Sequence, residues 1–265
     1  MLDQLRITPA VKNILIINAL AFAAPYVFSK SFGIDLHQWF GLHYCGSDSF
    51  YAWQFVTYMF MHAGFTHLFF NMFSVYMFGR LIEQYWGIQR FLIFYFVTGI
   101  GAGIIQELTY FYQTQSLISD FDAYLNEQTD VAFYAYIAPH FNSNLQSWYE
   151  NIVNTNGLPD AVQAVRASIP ELQNIVINSF NTVGASGACF GILLAFGMMF
   201  PNITIMLLFP PIPIKAKYFV LIYGLIELLE GVHNFSYDNV AHWAHLGGML
   251  FGFFLIRKWQ KEGQI

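Results

Sequence analysis

Long apolar runs, each close to what a bilayer crossing needs, recur along this chain and limit its folding more than any other feature. A crossing takes about 20 apolar residues. Runs of that order lie near residues 13–28, 56–78, 91–108, 183–200, 218–229 and 240–256. In hydrocarbon every backbone N–H and C=O must be satisfied within its own segment, so such runs become helices. The expectation is an all-α membrane protein, one domain over residues 1–265 with six transmembrane helices. Composition agrees, with 56% hydrophobic and 10% charged residues and a mean hydropathy of +0.46, outside the habit of soluble domains.

The basic residues orient the runs. Arg6, Lys12, Arg80, Arg90, Lys215, Lys217, Arg257, Lys258 and Lys261 fall on one side, leaving Lys30 and Arg166 opposite. Basic loops stay cytoplasmic, which places both termini in the cytoplasm. Arg6 and Lys12 ahead of ILIINALAFAA also fit the start of a cleavable signal, but the later spans favour a first membrane helix. Before the fifth run, ITIMLLFPPIPIKAK is broken by Pro210, Pro211 and Pro213 and reads as interfacial. A net charge of −5 with 11 Lys and Arg gives no basic face for nucleic acid. Cys45 and Cys189 have neither metal spacing nor a disulfide framework and are read as structural.

With this orientation, residues 110–182 form a long extracytoplasmic insertion between the third and fourth spans. It carries Asp120, Asp122, Glu127, Asp130, Glu150, Asp160 and Glu171 against the single Arg166. The stretch LPDAVQAVRASIPELQNIVINSF, with Pro159 and Pro170 as helix starts, reads as a pair of short helices. The insertion holds no catalytic motif, and a lid or a docking element are the roles open to it.

Few polar residues enter the spans, and several share a depth. Ser186 opens the fourth span, His245 lies about five residues into the sixth, and His67 and Asn71 lie in the second, all three spans being entered from outside. Gly187 and Gly191 on one helix, and Ala244, Gly248 and Gly252 on another, form small-residue stripes that allow close approach in lipid. Ser186 and His245 border those stripes, so a hydrogen bond from hydroxyl to imidazole is sterically reasonable. Histidine titrates near neutral pH and can take a serine's proton, making a nucleophile and its base. No acid lies near enough in sequence to complete a triad, so the expectation is a dyad, with Phe190 beneath the imidazole ring. Acyl transfer also needs donors for an oxyanion, and Asn71, His67 and the Ser186 amide are the candidates, with His62 nearer the outer surface.

Each residue also has a plainer reading. Ser186 alone is an ordinary small interface residue, and Asn71 alone is interhelical glue. Ionisable groups at membrane depth are less ordinary. His242 and His245, with His62 and His67, suggest metal ligands, but no His-Glu-x-x-His occurs and no carboxylate accompanies them. Neither a metal nor a cofactor is therefore assigned. Glu227 and Glu230, near the end of the fifth span, receive no role. Gly184-Ala185-Ser186-Gly187 is not the Gly-x-Ser-x-Gly elbow of soluble hydrolases, since Ala188 stands where the second glycine would be.

Taken together, these residues resemble the rhomboid family of intramembrane serine proteases, over about three quarters of the chain. His62-x4-His67-x3-Asn71, Gly184-x-Ser186-Gly187, Ala244-His245-x2-Gly248-x3-Gly252 and Gly79-x3-Glu83-x3-Gly87 are similar to the family's motifs. The resemblance implies a six-transmembrane-helix rhomboid bundle with Ser186 as nucleophile and His245 as base. Asn71, His67 and the Ser186 amide become oxyanion donors, and Gly184, Phe190 and His62 support them. Water would enter from the outer face, and the fifth span or outer cap would move to admit a substrate helix. Two positions depart from the family pattern: Trp53-Gln54 replaces Trp-Arg, and Phe190 replaces a tyrosine.

The expected activity is a cofactor-free endopeptidase that cuts transmembrane segments near their outer ends. The alternatives are a rhomboid-like protein that binds membrane clients without cutting them, and a histidine-lined metal transporter or oxidase. The location expected is a bacterial inner membrane, with an organelle membrane as alternative. Partners are the lipid bilayer and transmembrane substrates. The sequence carries no mark of oligomeric state.

Overall fold

The computed structural model describes residues 7–141, 143–206, 211–233 and 240–265. Arg6 and Pro210, used above for orientation and for the break before the fifth run, lie outside them. The chain is mostly helical: α1 (Pro9–Phe32), α2 (Phe65–Ser74), α3 (Arg80–Trp86), α4 (Ile88–Glu127), α5 (Ser143–Asn156), α6 (Leu158–Ser179), α7 (Ser186–Met199), α8 (Ala216–His233) and α9 (His242–Lys261). Among the described residues, α1 and α4 are long and apolar enough to cross a membrane, and α7 is a shorter apolar helix.

Two compact units emerge. One holds the chain up to Leu42, Tyr51–Glu107 and Thr182–Ile265; the other holds His43–Phe50 and Leu108–Asn181. In the second, Leu117, Phe121, Tyr124, Phe133, Tyr149 and Val165 form a buried core, with the Phe133 and Tyr149 rings stacked at 3.6 Å. The Tyr149 hydroxyl donates to Asp130 at 2.8 Å, and His140 Nε2 lies 2.7 Å from Asp120.

Several boundaries differ from the sequence-based expectation. The run at 56–78 is not one helix. A helical turn at Gln54–Thr57 and a 3-10 turn at Tyr58–Phe60 end in an extended break, after which α2, a π turn at Val75–Gly79 and α3 continue. The break is held by tertiary bonds: the Tyr58 carbonyl accepts from Gly184 N at 2.9 Å, and the Tyr58 hydroxyl donates to the Gly99 carbonyl at 2.6 Å. Helix α4 spans 40 residues and runs through Tyr110 to Glu127, because nothing in that stretch breaks a helix. Pro170 lies inside α6 and opens no second helix, whereas Pro159 does sit in that helix's first turn. Near the expected interfacial break, Thr204–Met206 pairs antiparallel with Pro213–Lys215.

The N-terminus of α1 is satisfied from a distance. Ala10 N and Val11 N donate to Oε1 and Oε2 of Glu83, each at 2.9 Å. Glu83 is buried on α3, so its charge meets two orphan amides and the positive end of a helix dipole. At the other end of the unit, α7 and α9 touch through backbone. A Cβ at Gly248 would run into the Gly187 carbonyl, one at Gly187 into Ala102 of α4, and one at Gly191 would lie 2.6 Å from Thr98. The expected glycine seam is therefore a meeting of three helices, since α4 closes over the small residues of α7.

Two outcomes follow from this packing. Glu83→Gln removes the charge and leaves one buried amide short of an acceptor, at a cost of about 1–3 kcal/mol, read as a lowered thermal midpoint in detergent micelles. Gly248→Ala has no room at the Gly187 carbonyl, so α7 and α9 separate. Thermal stability and any activity that depends on Ser186 meeting His245 fall together, measured on the same preparation.

Candidate active site

Ser186 is the first residue of α7, preceded by a turn that only glycine accommodates. Gly184 has φ +127, and a Cβ there would lie 2.6 Å from His67 Cε1 and 2.7 Å from its Nε2. The backbone before the serine thus rests directly on the His67 ring, with Asn71 Nδ2 3.6 Å from the same point. His67 and Asn71 are four residues apart on α2, so both face that turn. Cys189 holds the two helices in register, its thiol donating to the Asn71 carbonyl at 3.4 Å.

On α9, His245 places Nε2 2.8 Å from Ser186 Oγ. Its ring lies flat on Phe190, with centroids 4.3 Å apart and planes at 12°. Phe190 comes from the same helix as Ser186, one turn on, so serine and imidazole are located by one element. His245 is 7% exposed, while Ser186 is only partly buried and can be reached.

Two polar atoms near the serine turn lack partners. Asn71 Nδ2 and His62 Nε2 are buried and make no hydrogen bond within the protein. A buried donor left unmatched is costly and calls for a reason. The His62 ring packs edge-on against His67 with centroids 5.1 Å apart, and its Nδ1 lies 3.4 Å from the Phe60 carbonyl. Gln54, one of the departures noted above, is fully buried. It donates to the Trp39 carbonyl at 3.3 Å, as Trp53 Nε1 does at 3.2 Å, so the neutral amide ties this segment down without an arginine.

The largest correction concerns the acid. Glu227 of α8, left without a role above, turns Oε2 to His245 Nδ1 at 2.8 Å and to His242 Nδ1 at 2.7 Å. All three residues are buried. Glu230 lies farther away, 3.5 Å from His242 Nδ1, and is 41% exposed. The sequence did hold a signal: a carboxylate in an apolar helix requires a partner, and histidines three apart on α9 offer two. The link was hidden because 18 residues separate Glu227 from His245 and no spacing rule reaches from one helix to another. The ground for setting aside a metal, that no carboxylate accompanies the histidines, fails as well. The three ligand atoms lie within 4.8 Å of one another.

Comparison with known proteins agrees with the motifs. A Rhomboid domain model matches residues 49–118 and 162–259, a span that includes every site residue named here. RHOMBOID-like protein 6, mitochondrial, of Arabidopsis thaliana is 41% identical over 56 residues, 21% of this chain and 18% of that protein. Rhomboid-like protein 11, chloroplastic, of the same plant is 43% identical over 61 residues, covering 23% of this chain and 22% of its own length. Putative rhomboid protease YdcA of Bacillus subtilis (strain 168) is 43% identical over 53 residues, 20% of this chain and 25% of that protein. The chain thus spans about a fifth to a quarter of the length of these curated relatives. With more than half of its residues matched by the family model, this integral membrane protein belongs to the rhomboid family.

Proposed function

We propose that this protein is an intramembrane serine endopeptidase that cleaves transmembrane segments of other proteins near their outer ends. The observation that carries the reading is the 2.8 Å approach of Ser186 Oγ to His245 Nε2, beside a buried Asn71 amide that has no partner of its own. In the arrangement we propose, six helical spans cross the bilayer with both termini in the cytoplasm. Residues 110–182 form an extracytoplasmic insertion. The serine end of α7 faces outward. A bacterial inner membrane is the favoured location, with an organelle membrane as the alternative.

The chemistry follows from the pair. Ser186 Oγ–H gives its proton to His245 Nε2 as Oγ bonds to the scissile carbonyl carbon. Negative charge gathers on the carbonyl oxygen, and the Asn71 amide, the His67 ring and the Ser186 backbone N–H are its donors. His245 then passes its proton to the leaving nitrogen, the C–N bond breaks, and the acyl group stays on Ser186. Water enters next and loses a proton to His245 as its oxygen bonds to the acyl carbon; His245 then returns that proton to Ser186 Oγ as the ester bond breaks and the acid leaves. Phe190 keeps the imidazole flat against α7 throughout, so that Nε2 stays aimed at Oγ. His62 packs behind His67 and sets its ring angle, while Gly184 lets the turn pass beneath it. A substrate helix must offer an extended bond to this turn, which favours segments rich in small, helix-breaking residues.

In liposomes with a model transmembrane substrate, Ser186→Ala and His245→Ala are each expected to lower kcat by at least about 1,000-fold. Cleavage that survives either change refutes the reading. Asn71→Ala is expected to cost about 100- to 1,000-fold in kcat with little change in KM, as removal of one oxyanion donor does. Phe190→Ala, which loses the stacking alone, is expected to cost about 2- to 10-fold, measured as kcat in the same assay.

A further inference from the structure

The dyad leaves the Glu227 carboxylate without a task. We propose that Glu227 is the positioning residue of the site, clamped by His242 and holding His245 through Nδ1, so that the base works as Ser186–His245–Glu227–His242. The proposal rests on the endopeptidase reading and deepens it.

Donor counting fixes the tautomer. An ionised carboxylate can only accept, so a histidine nitrogen 2.7 or 2.8 Å from Glu227 Oε2 must bring its own hydrogen. His245 is then Nδ1–H, and its Nε2 carries the lone pair facing Ser186 Oγ. The opposite tautomer would point N–H at the serine and could not take its proton. When the serine does give up its proton, the ring becomes a buried cation in a unit poor in charge, and the carboxylate at Nδ1 is its counter-ion. The same burial would make an unpaired Glu227 expensive. His242 removes that cost by donating to the same oxygen while Ser186 is at rest.

The clamp joins two helices. Glu227 rides on α8, whereas His242 and His245 ride on α9, so the base is held only while these helices stay packed. Around His245 the polar and charged neighbours are Ser186 from α7, His67 from α2, Glu227 from α8 and His242 on its own helix; Glu230 reaches His242 only, at 3.5 Å. Glu227 alone among these combines a negative charge with contact to Nδ1.

The test uses the full chain in liposomes and in micelles with 15N-labelled histidine. Glu227→Gln is expected to lower kcat about 100- to 10,000-fold, the scale seen when a triad acid becomes its amide, with KM within threefold. Glu227→Asp should recover at least tenfold of that loss. His242→Gln, whose amide can still donate to Glu227, should stay within tenfold of the parent, whereas His242→Phe should fall further. Nitrogen NMR of the parent should show His245 protonated at Nδ1 and bare at Nε2, and Glu227→Gln should mix the tautomers. The proposal is overturned if Glu227→Gln keeps kcat within threefold while Ser186→Ala is inactive. An Nε2–H tautomer in the parent overturns it without any variant. So does stoichiometric zinc that leaves with Glu227→Gln, because Nδ1 would then hold metal rather than hydrogen. If the parent cleaves nothing, or Ser186→Ala cleaves equally well, the endopeptidase reading falls, and the tautomer measurement still decides the role of Glu227.

Discussion

The contact between Gly248 and the carbonyl of Gly187, where a single added carbon has no space, sets the position of everything else at this site. Helices in lipid gain little from hiding apolar surface from one another, so close packing of small residues has to hold them. Here three backbones converge, because Ala102 and Thr98 of α4 press on the α7 glycines. Ser186 stands one residue from that contact and His245 three, within one helical turn. Their 2.8 Å bond is a consequence of helix spacing, and it needs no flexible loop to bring the groups together.

Two buried carboxylates of this unit share one pattern. Glu83 and Glu227 are both carboxylates in apolar helices, and both are satisfied by N–H donors. Two backbone amides of α1 serve Glu83, and two imidazoles serve Glu227. An N–H donor brings less charge to be desolvated than a lysine or arginine would, so the pairing suits a chain with only 10% charged residues. Each carboxylate also links two helices. Glu83 fastens α3 to the start of α1, and Glu227 fastens α8 to α9.

Legibility varied with the range of the interaction involved. Local pattern sufficed for the apolar helices and for placing His67 beside Asn71, because a helical face repeats every three or four residues. It sufficed too for Phe190, one turn after the serine on the same helix. Pattern misplaced the second apolar run, whose helix starts at Phe65 only because Tyr58 is engaged with Gly184 and Gly99. It also ended the third helix too early and started one at Pro170, since composition shifts and prolines mark breaks only statistically.

The sequence by itself determined that this chain is a membrane protein of helices, that small residues would line two of them, and that a serine and a histidine bordered those lines. Such information is periodic and local, and hydropathy in a bilayer leaves the backbone little choice. The tertiary structure alone decided that Glu227 meets His242 and His245, that α4 closes the glycine contact, and that His67 lies beneath the serine turn. Those are meetings between separate helices, set by how whole faces pack, and no spacing along the chain encodes them.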